Sequence, residues 1–347
     1  MWNRTVHTLS DTAYLASHRA VAIAFALGVR VWHQRMHPGL ENFSRAVYVE
    51  LDRRFRKLLK QDLANAKQGV YPRELLMDMA TLKGYLSNVP AGLREMPRVL
   101  KRARNQGFDD LPASVDGADY PSYYLRTFHW QTDGWFSEHS ARMYDMGVEF
   151  LFMGTADVMR RMTFAPLVNA AADIDHPKIV DIGCGNGRYL GQLQRAVPHA
   201  QLTGVDLSPS YINVARRNFA GHPSMSWIEA NGEDMPLQDD AFDMATSVFL
   251  FHELPKQARR NVMREAFRVL APGGLFVVCD SGQQAGNQAM QDVFDVFPRL
   301  YHEPYYKGYF RDDLAVALQD SGFSVLSAKN HFFSRIVVAR KGVSTGA

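Results

Sequence analysis

Cysteine is almost absent, with Cys184 and Cys279 the two in 347 residues. A disulfide framework and a CxxC-type metal site are both excluded, no metal is expected, and the expected location is the reducing cytoplasm. Long apolar runs are also missing. The mildly apolar stretch 20–27 lies between Arg19 and Arg30, is too short to span a bilayer and leads to no small-residue cleavage site. Neither a transmembrane helix nor a signal peptide is expected. No internal repeat is found, and apolar residues at 46% with charged residues at 22% exclude disorder and fibrous architecture. What remains is a packed globular chain, long enough for one large or two modest domains.

The net charge of +3 hides an asymmetry. Residues 1–110 hold 18 Lys/Arg against 10 Asp/Glu, and residues 111–347 hold 21 against 26. Within the basic third, apolar residues recur at three- and four-residue spacing, as in Val47, Leu51, Phe55, Leu58, Leu59 and Leu63. That spacing predicts helices over 11–37, 43–67 and 73–105, broken at His37-Pro38-Gly39, at Gly69 to Pro72 and at Gly107. Residues 108–124, rich in Asp, Pro, Gly and Ser, read as a loop. Helical spacing resumes from Ser137, a plausible N-cap, and runs with interruptions to about Asn169.

After residue 177 the pattern changes to alternation. Strands are expected at 178–182, 201–205, 225–228, 242–248, 274–279, 323–328 and 332–339, with helices near 187–197, 209–218, 256–270 and 311–321. Such alternation builds an α/β fold with a mostly parallel sheet covered on both faces. The last two strands have no helix between them and should pair as an antiparallel hairpin at one edge. The expected organisation is a helical region over 1–110, an aromatic linker and lid over 111–175, and an α/β domain over 176–347.

Chemistry concentrates where the first strand ends. Residues 180–187 read Val-Asp-Ile-Gly-Cys-Gly-Asn-Gly, a strand running into glycines and then a helix, where glycine allows a tight turn and close approach of a ligand to the backbone. The spacing is GxGxG at Gly183, Gly185 and Gly187, whereas a dinucleotide fold wants GxGxxG, and nothing resembling a dehydrogenase catalytic pair is evident. Asp206 ends the second strand, where a carboxylate takes the hydroxyls of a bound ribose; the bland alternative is a cap on the helix beginning near Pro209. Asn231-Gly232-Glu233-Asp234 follows the third strand, and Ala271-Pro272-Gly273-Gly274 introduces the fifth.

On these segments, residues 176–340 resemble the class I S-adenosylmethionine-dependent methyltransferases, particularly the group around the ubiquinone and menaquinone C-methyltransferases. The resemblance implies a seven-stranded Rossmann-like sheet with the last strand reversed, S-adenosylmethionine as cofactor and a small-molecule acceptor. By the same resemblance Asp181 would support the methionine ammonium, and Gly183, Cys184, Gly185 and Gly187 would pass beneath the cofactor. Asp206 with Leu207 would hold the ribose, and Asn231, Gly232, Glu233 and Asp234 would face the adenine, with Phe249 after strand four close by. The family often has Asp where this chain has Asn231, which shifts the adenine contact toward Glu233 or Asp234.

Acceptor and catalytic candidates sit in three aromatic or acidic clusters. His252 and Glu253, after the fourth strand, serve either as a general base with its partner or as caps that orient the next helix. His302, Tyr305 and Tyr306, between strands five and six, either cover an acceptor or pack on the domain. Tyr124, His129, Trp130 and Tyr144 precede the first strand and form either a lid over a flat or apolar molecule or a core joining the helices to the sheet.

The run 53–60 (Arg-Arg-Phe-Arg-Lys-Leu-Leu-Lys) invites nucleic acid or an anionic membrane. Interspersed acids favour a solvated face, and the Asn-Pro-Pro-Tyr and Asp-Pro-Pro-Tyr signatures of base amino-methyltransferases are missing. Nucleic acid is therefore not expected, and residues 1–110 are left as a dimer contact, a substrate roof, or a dock for a carrier or membrane surface. The functional expectation is a methyltransferase for a small, aromatic or lipid-like molecule, against the alternative of a methyltransferase-like scaffold without turnover.

Overall fold

A computed structural model describes residues 2–36, 43–77 and 79–342. The break expected at His37-Pro38-Gly39 lies outside them. Three long helices come first: α1 (Trp2–Met36), α2 (Arg45–Lys67) and α3 (Met79–Asn105). Ser44 caps α2, its Oγ accepting the Val47 N–H, which satisfies one of the donors a helix start leaves open. The region expected to be a single helix over 73–105 is divided, with a 3-10 turn at Arg73–Leu75 before α3 begins. The apolar stretch around 20–27, read from sequence as too short to span a bilayer, is longer in the structure. Folded as one helix, Asp11–Val31 forms a 21-residue stretch long and apolar enough to cross a membrane by length and composition, and only 6% of that window is buried. Alanines and valines on both sides of 20–27 extend the apolar run.

The chain then turns through 108–137 into α4 (Glu138–Leu151), α5 (Ala156–Arg161) and α6 (Phe164–Ala171). Ser137 caps α4 through the Ser140 N–H. The α/β part follows as β1 (Lys178–Ile182), α7 (Arg188–Ala196), β2 (Gln201–Asp206), α8 (Pro209–Asn218), β3 (Met225–Glu229), β4 (Phe242–Val248), α9 (Lys256–Val269) and β5 (Leu270–Ser281). It ends in α10 (Gln291–Leu300), α11 (Tyr306–Arg311), α12 (Leu314–Asp320), β6 (Phe323–His331) and β7 (Ser334–Lys341). Strand β5 starts four residues before the expected Gly274, because Leu270 pairs with Phe242 ahead of a register shift. Helices α10 and α11 were not anticipated in the aromatic segment between β5 and β6.

The seven strands lie in the order β3-β2-β1-β4-β5-β7-β6. The first five run parallel, β7 is antiparallel to β5, and β6 and β7 form the expected edge hairpin. Strands β1 and β4 are buried nearly throughout because helices cover both faces, whereas β6 alternates as an edge strand does. The order reverses beside β1, so the carboxyl ends of β1, β2 and β4 open a crevice where such sheets place their ligands.

The N-terminal helices are tied to this body by a buried ion pair. Asp62 on α2 is fully buried. Its Oδ1 and Oδ2 accept from Arg161 Nε and Nη2 at 2.9 and 2.6 Å and from the hydroxyls of Tyr71 and Tyr14 at 2.5 and 2.6 Å. Four segments thus meet at one carboxylate with its lone pairs occupied, the condition under which a buried charge is tolerated.

Candidate functional site

The glycine loop after β1 is shaped by backbone geometry. Gly183, Gly185 and Gly187 all have positive φ, at 76°, 56° and 82°, a region that penalises any residue carrying a Cβ. Their surroundings differ. The nearest atom to a Cβ built on Gly185 is Tyr211 Cδ1 at 3.8 Å, so this stretch of backbone faces open space, while a Cβ on Gly187 would overlap the Trp227 ring. Gly187 therefore serves the seating of α7 against β3 rather than a ligand, and it does not line the cavity above the loop.

That cavity is lined by Asp181, Gly183, Cys184 and Gly185 from the first turn, Asp206 and Leu207 from the second, Asn231 and Gly232 from the third, and Phe249 with Glu253 after β4. Asp206 ties the loops together. Its Oδ2 accepts the Gly185 N–H and its Oδ1 the Ser208 N–H, each at 2.8 Å. Burial raises its carboxyl above the usual range, and those N–H groups hold the rise in check. Burial likewise pushes Asp181 up to about 7, against the Thr246 hydroxyl that donates to it at 2.7 Å.

Glu233 and Asp234 lie outside this cavity. Glu233 is occupied by the Tyr123 hydroxyl at 2.5 Å and by Asn261 Nδ2 at 2.6 Å, and Asp234 is exposed. The position facing the cavity is Asn231, whose Oδ1 accepts the Glu233 N–H. The segment before β1 closes the top through Tyr123, Tyr124, Phe128, Trp135 and Tyr144. It is fastened to the glycine loop by Asn186, whose Nδ2 donates to Asp145 Oδ2 and to the Ala141 carbonyl on α4.

Two buried polar atoms on this wall lack a hydrogen-bond partner among the described residues, the Tyr124 hydroxyl and Asp145 Oδ1; Arg160 Nη2 stands 3.3 Å from the latter. A bare glycine backbone, a carboxylate at each of two strand ends and unspent polar atoms between them fit a nucleoside cofactor with a charged amino-acid tail.

Beside it lies a second cavity, between α3 and α4. Its wall is apolar, with Met96, Val99, Met143, Met146, Phe150 and Leu151, and it shares Tyr144 with the first. Gly92 faces α4 here, where a Cβ would stand 2.8 Å from the flexible end of Met146 at Cε. His129 lines this cavity. Its Nε2 is 3.3 Å from Glu253 Oε1 and its Nδ1 is 3.0 Å from Glu303 Oε1, so the imidazole bridges the wall between the two spaces. Burial opposes a charge on that imidazole, yet Glu303 and Glu253 hold it up at about 10. Burial raises Glu253 in turn.

His252 lines neither cavity. It is buried with Nδ1 2.7 Å from Asp280 Oδ1, and against the cost of burial Asp280 holds it up at about 9. The Asp280 carboxylate also accepts the N–H groups of Leu250 and Phe251, which pins the turn after β4.

The other aromatic candidates line neither cavity and pack against neighbouring elements. Trp130 is buried and donates Nε1–H to the Leu300 carbonyl, and Tyr306 is buried with its hydroxyl 2.9 Å from Ser281 Oγ. His302 stacks on Phe108 at 5.2 Å, burial and then Arg126 pushing it down to about 4, and Tyr305 meets Tyr123 edge-on.

Asp280, Asn186 and Arg160 were not anticipated as site residues, and no spacing signal marks them. Asp145, paired with Tyr144, and Glu303, within the cluster 301–306, belong to segments that the sequence does single out, without a role of their own.

Fold and site together define an α/β protein that holds a nucleoside-type ligand over the carboxyl ends of β1 and β2. Residues 179–274 match the family model described as a methyltransferase domain, and the chain carries a class I S-adenosylmethionine-dependent methyltransferase domain. It is 29% identical over 147 residues to the ubiquinone/menaquinone biosynthesis C-methyltransferase of Desulfotalea psychrophila, covering 42% of this chain and 57% of that one. It is 35% identical over 115 residues to the fatty-acid O-methyltransferase of Mycolicibacterium smegmatis, covering 32% and 40%. The chain thus spans about half the length of the curated relatives it matches. Among solved structures, an S-adenosylmethionine-dependent methyltransferase from Aquifex aeolicus is similar with a TM-score of 0.40 and 18% identity, over 51% of this chain and 88% of that one.

Proposed function

We propose that this protein transfers a methyl group from S-adenosylmethionine to a small, apolar, lipid-like acceptor. The observation that carries this reading is the apolar cavity between α3 and α4, which shares Tyr144 with the cofactor cavity and meets it at His129 and Glu253. The cofactor supplies a methyl group already activated on a sulfonium. What the chain supplies is placement and a dry site, and in-line positioning accounts for much of such a rate. Asp206 and Asn231 hold the nucleoside end, Asp181 the ammonium, and Tyr124 and Tyr144 shield the junction from water. A hydroxyl at the inner end of the apolar cavity would find the His129 imidazole within reach. The relatives described as acting on quinone precursors and a fatty acid support an apolar acceptor.

The helical region joins this reading as a roof and a docking face. Basic residues in 53–60 are largely paired: Arg53 and Arg54 bond Glu50, and Arg56 pairs with Asp52. That leaves the run a solvated face. Helices α1 and α3 instead expose Ile23, Leu27, Val31, Val89 and Leu93 with Arg30, Arg94, Arg98 and Lys101 exposed around them, the composition of a surface that rests on an anionic bilayer. Helix α1 is held from its other side, by Tyr14 on Asp62 and by Phe25 against Phe150. Such anchoring suits a helix lying on a cytoplasmic membrane face rather than one crossing it.

Labelled S-adenosylmethionine incubated with the enzyme and a lipid extract tests the activity. Transfer to an extractable acceptor is expected, and Met143→Trp should abolish it while leaving cofactor binding intact. Transfer only to water-soluble acceptors would refute the apolar reading; no transfer to any acceptor would favour a scaffold. Leu27→Asp with Leu93→Asp should release the protein from anionic vesicles in a flotation assay.

A further inference from the structure

Where the two cavities meet, four residues from three segments of the chain bring their ligand atoms close to one another. His129, His252, Glu253 and Glu303 each offer a ligand atom, and these atoms all lie within 4.8 Å of one another. The Glu303 side chain has no exposed surface, and among the described residues neither of its oxygens has a hydrogen-bond partner. His129 Nδ1 lies 3.0 Å from Glu303 Oε1 but out of line for a hydrogen bond, and so has no hydrogen-bond partner among them either. Buried carboxylates are rarely left this way, since an unbonded charged oxygen in the interior is among the costliest arrangements a fold can contain. His252 adds an orientation that points to a ligand. With Nδ1 held by Asp280 at 2.7 Å, its Nε2 is turned to the cluster, 3.9 Å from Glu253 Oε1. A carboxylate behind an imidazole whose other nitrogen faces a shared point is the arrangement that fixes a metal-binding histidine.

We propose that this cluster binds a divalent first-row transition cation, with His129, His252, Glu253 and Glu303 as ligands and Asp280 as a positioning residue behind His252. Two imidazoles with two carboxylates suit zinc, iron or manganese, whereas magnesium and calcium favour all-oxygen sets. Two carboxylates balance the charge of a dication, which accounts for the burial of Glu303 with neither oxygen hydrogen-bonded among the described residues. Because Glu253 lines the cofactor cavity and His129 the apolar one, a cation held here would face both, in place to orient an oxygen of the acceptor. That role rests on the methyltransferase reading above; the cation site does not.

The test uses the full chain, stripped with chelator and titrated with Zn2+ by calorimetry and with Co2+ by visible absorption. One equivalent of Zn2+ and a Co2+ ligand-field band that Zn2+ abolishes are expected. Glu303→Gln and His129→Asn should each weaken Zn2+ binding by roughly tenfold or more, and Asp280→Asn by about tenfold. Binding at no defined stoichiometry, or of equal strength in both ligand variants, would overturn the proposal. If a variant does not fold, the Co2+ band of the unaltered chain decides, its absence counting against the site. S-adenosylhomocysteine titrated in parallel reads the cofactor site separately, so a failed methyltransferase reading and a failed cation site give different results.

Discussion

Cofactor affinity should depend on pH through Asp181. Its carboxyl is buried at the end of β1 and raised by desolvation to about 7; on the proposal above that Asp181 receives the cofactor's ammonium, the cofactor binds well only when that group is ionised. At pH 7 about half of the ligand-free protein has Asp181 ionised, and at pH 5.5 about 3%, so affinity should fall about sixteenfold, roughly 1.6 kcal/mol, over that interval. The sign is opposite for stability without cofactor. The folded pKa lies above that of the unfolded chain, so the folded state binds more protons between about pH 4 and 7, and this group's contribution to stability is lost as pH rises through that window. Asp206, also raised by burial, adds to the same trend. Calorimetric titration of S-adenosylhomocysteine at several pH values, repeated with Asp181→Asn, isolates the group. A dissociation constant that stays flat from pH 7 to 5.5 in the unaltered protein, or a pH dependence identical in Asp181→Asn, would refute the reasoning.

Two further outcomes follow from packing. Asp62→Asn leaves Arg161 as an uncompensated charge, with both residues almost wholly buried, and should cost about 3–5 kcal/mol in denaturant unfolding; a loss below about 1 kcal/mol would show that the helical region is not held at this point. Gly187→Ala meets both a left-handed backbone at φ 82° and the Trp227 ring, so its melting temperature should drop. Trp227→Leu should restore part of that loss, and no recovery would mean that the backbone conformation alone sets the cost.

Much of the α/β half was legible because local and global signals agree there. A strand buried on both faces reads as an apolar run, its turn needs glycines, and the next strand ends on a carboxylate, so β1, its loop and Asp206 could be placed from sequence order alone. The edge hairpin was legible for the same kind of reason, since the few residues between the last two expected strands, 329–331, leave no room for a crossover helix. Gly187 marks the limit. Its spacing matched the loop motif, but its role is to admit the Trp227 ring, a contact made across 40 residues of chain.

The cofactor half of this protein can be read from its sequence, because that site is built from contiguous turns whose residue types are dictated by backbone geometry. The acceptor side was decided only in three dimensions. Whether His129, Trp130, His302 and Tyr306 form a lid or a core depends on which neighbour each meets, and the fold sent Trp130 and Tyr306 inward while turning His129 toward Glu253 and Glu303. Those three, with His252, come from segments up to 174 residues apart, and the burial that sets their charge states does not exist until the helices close over the sheet. The same closure decided the character of α1, whose alanines and valines read as an ordinary amphipathic stretch until one side was taken by α4 and the other left open.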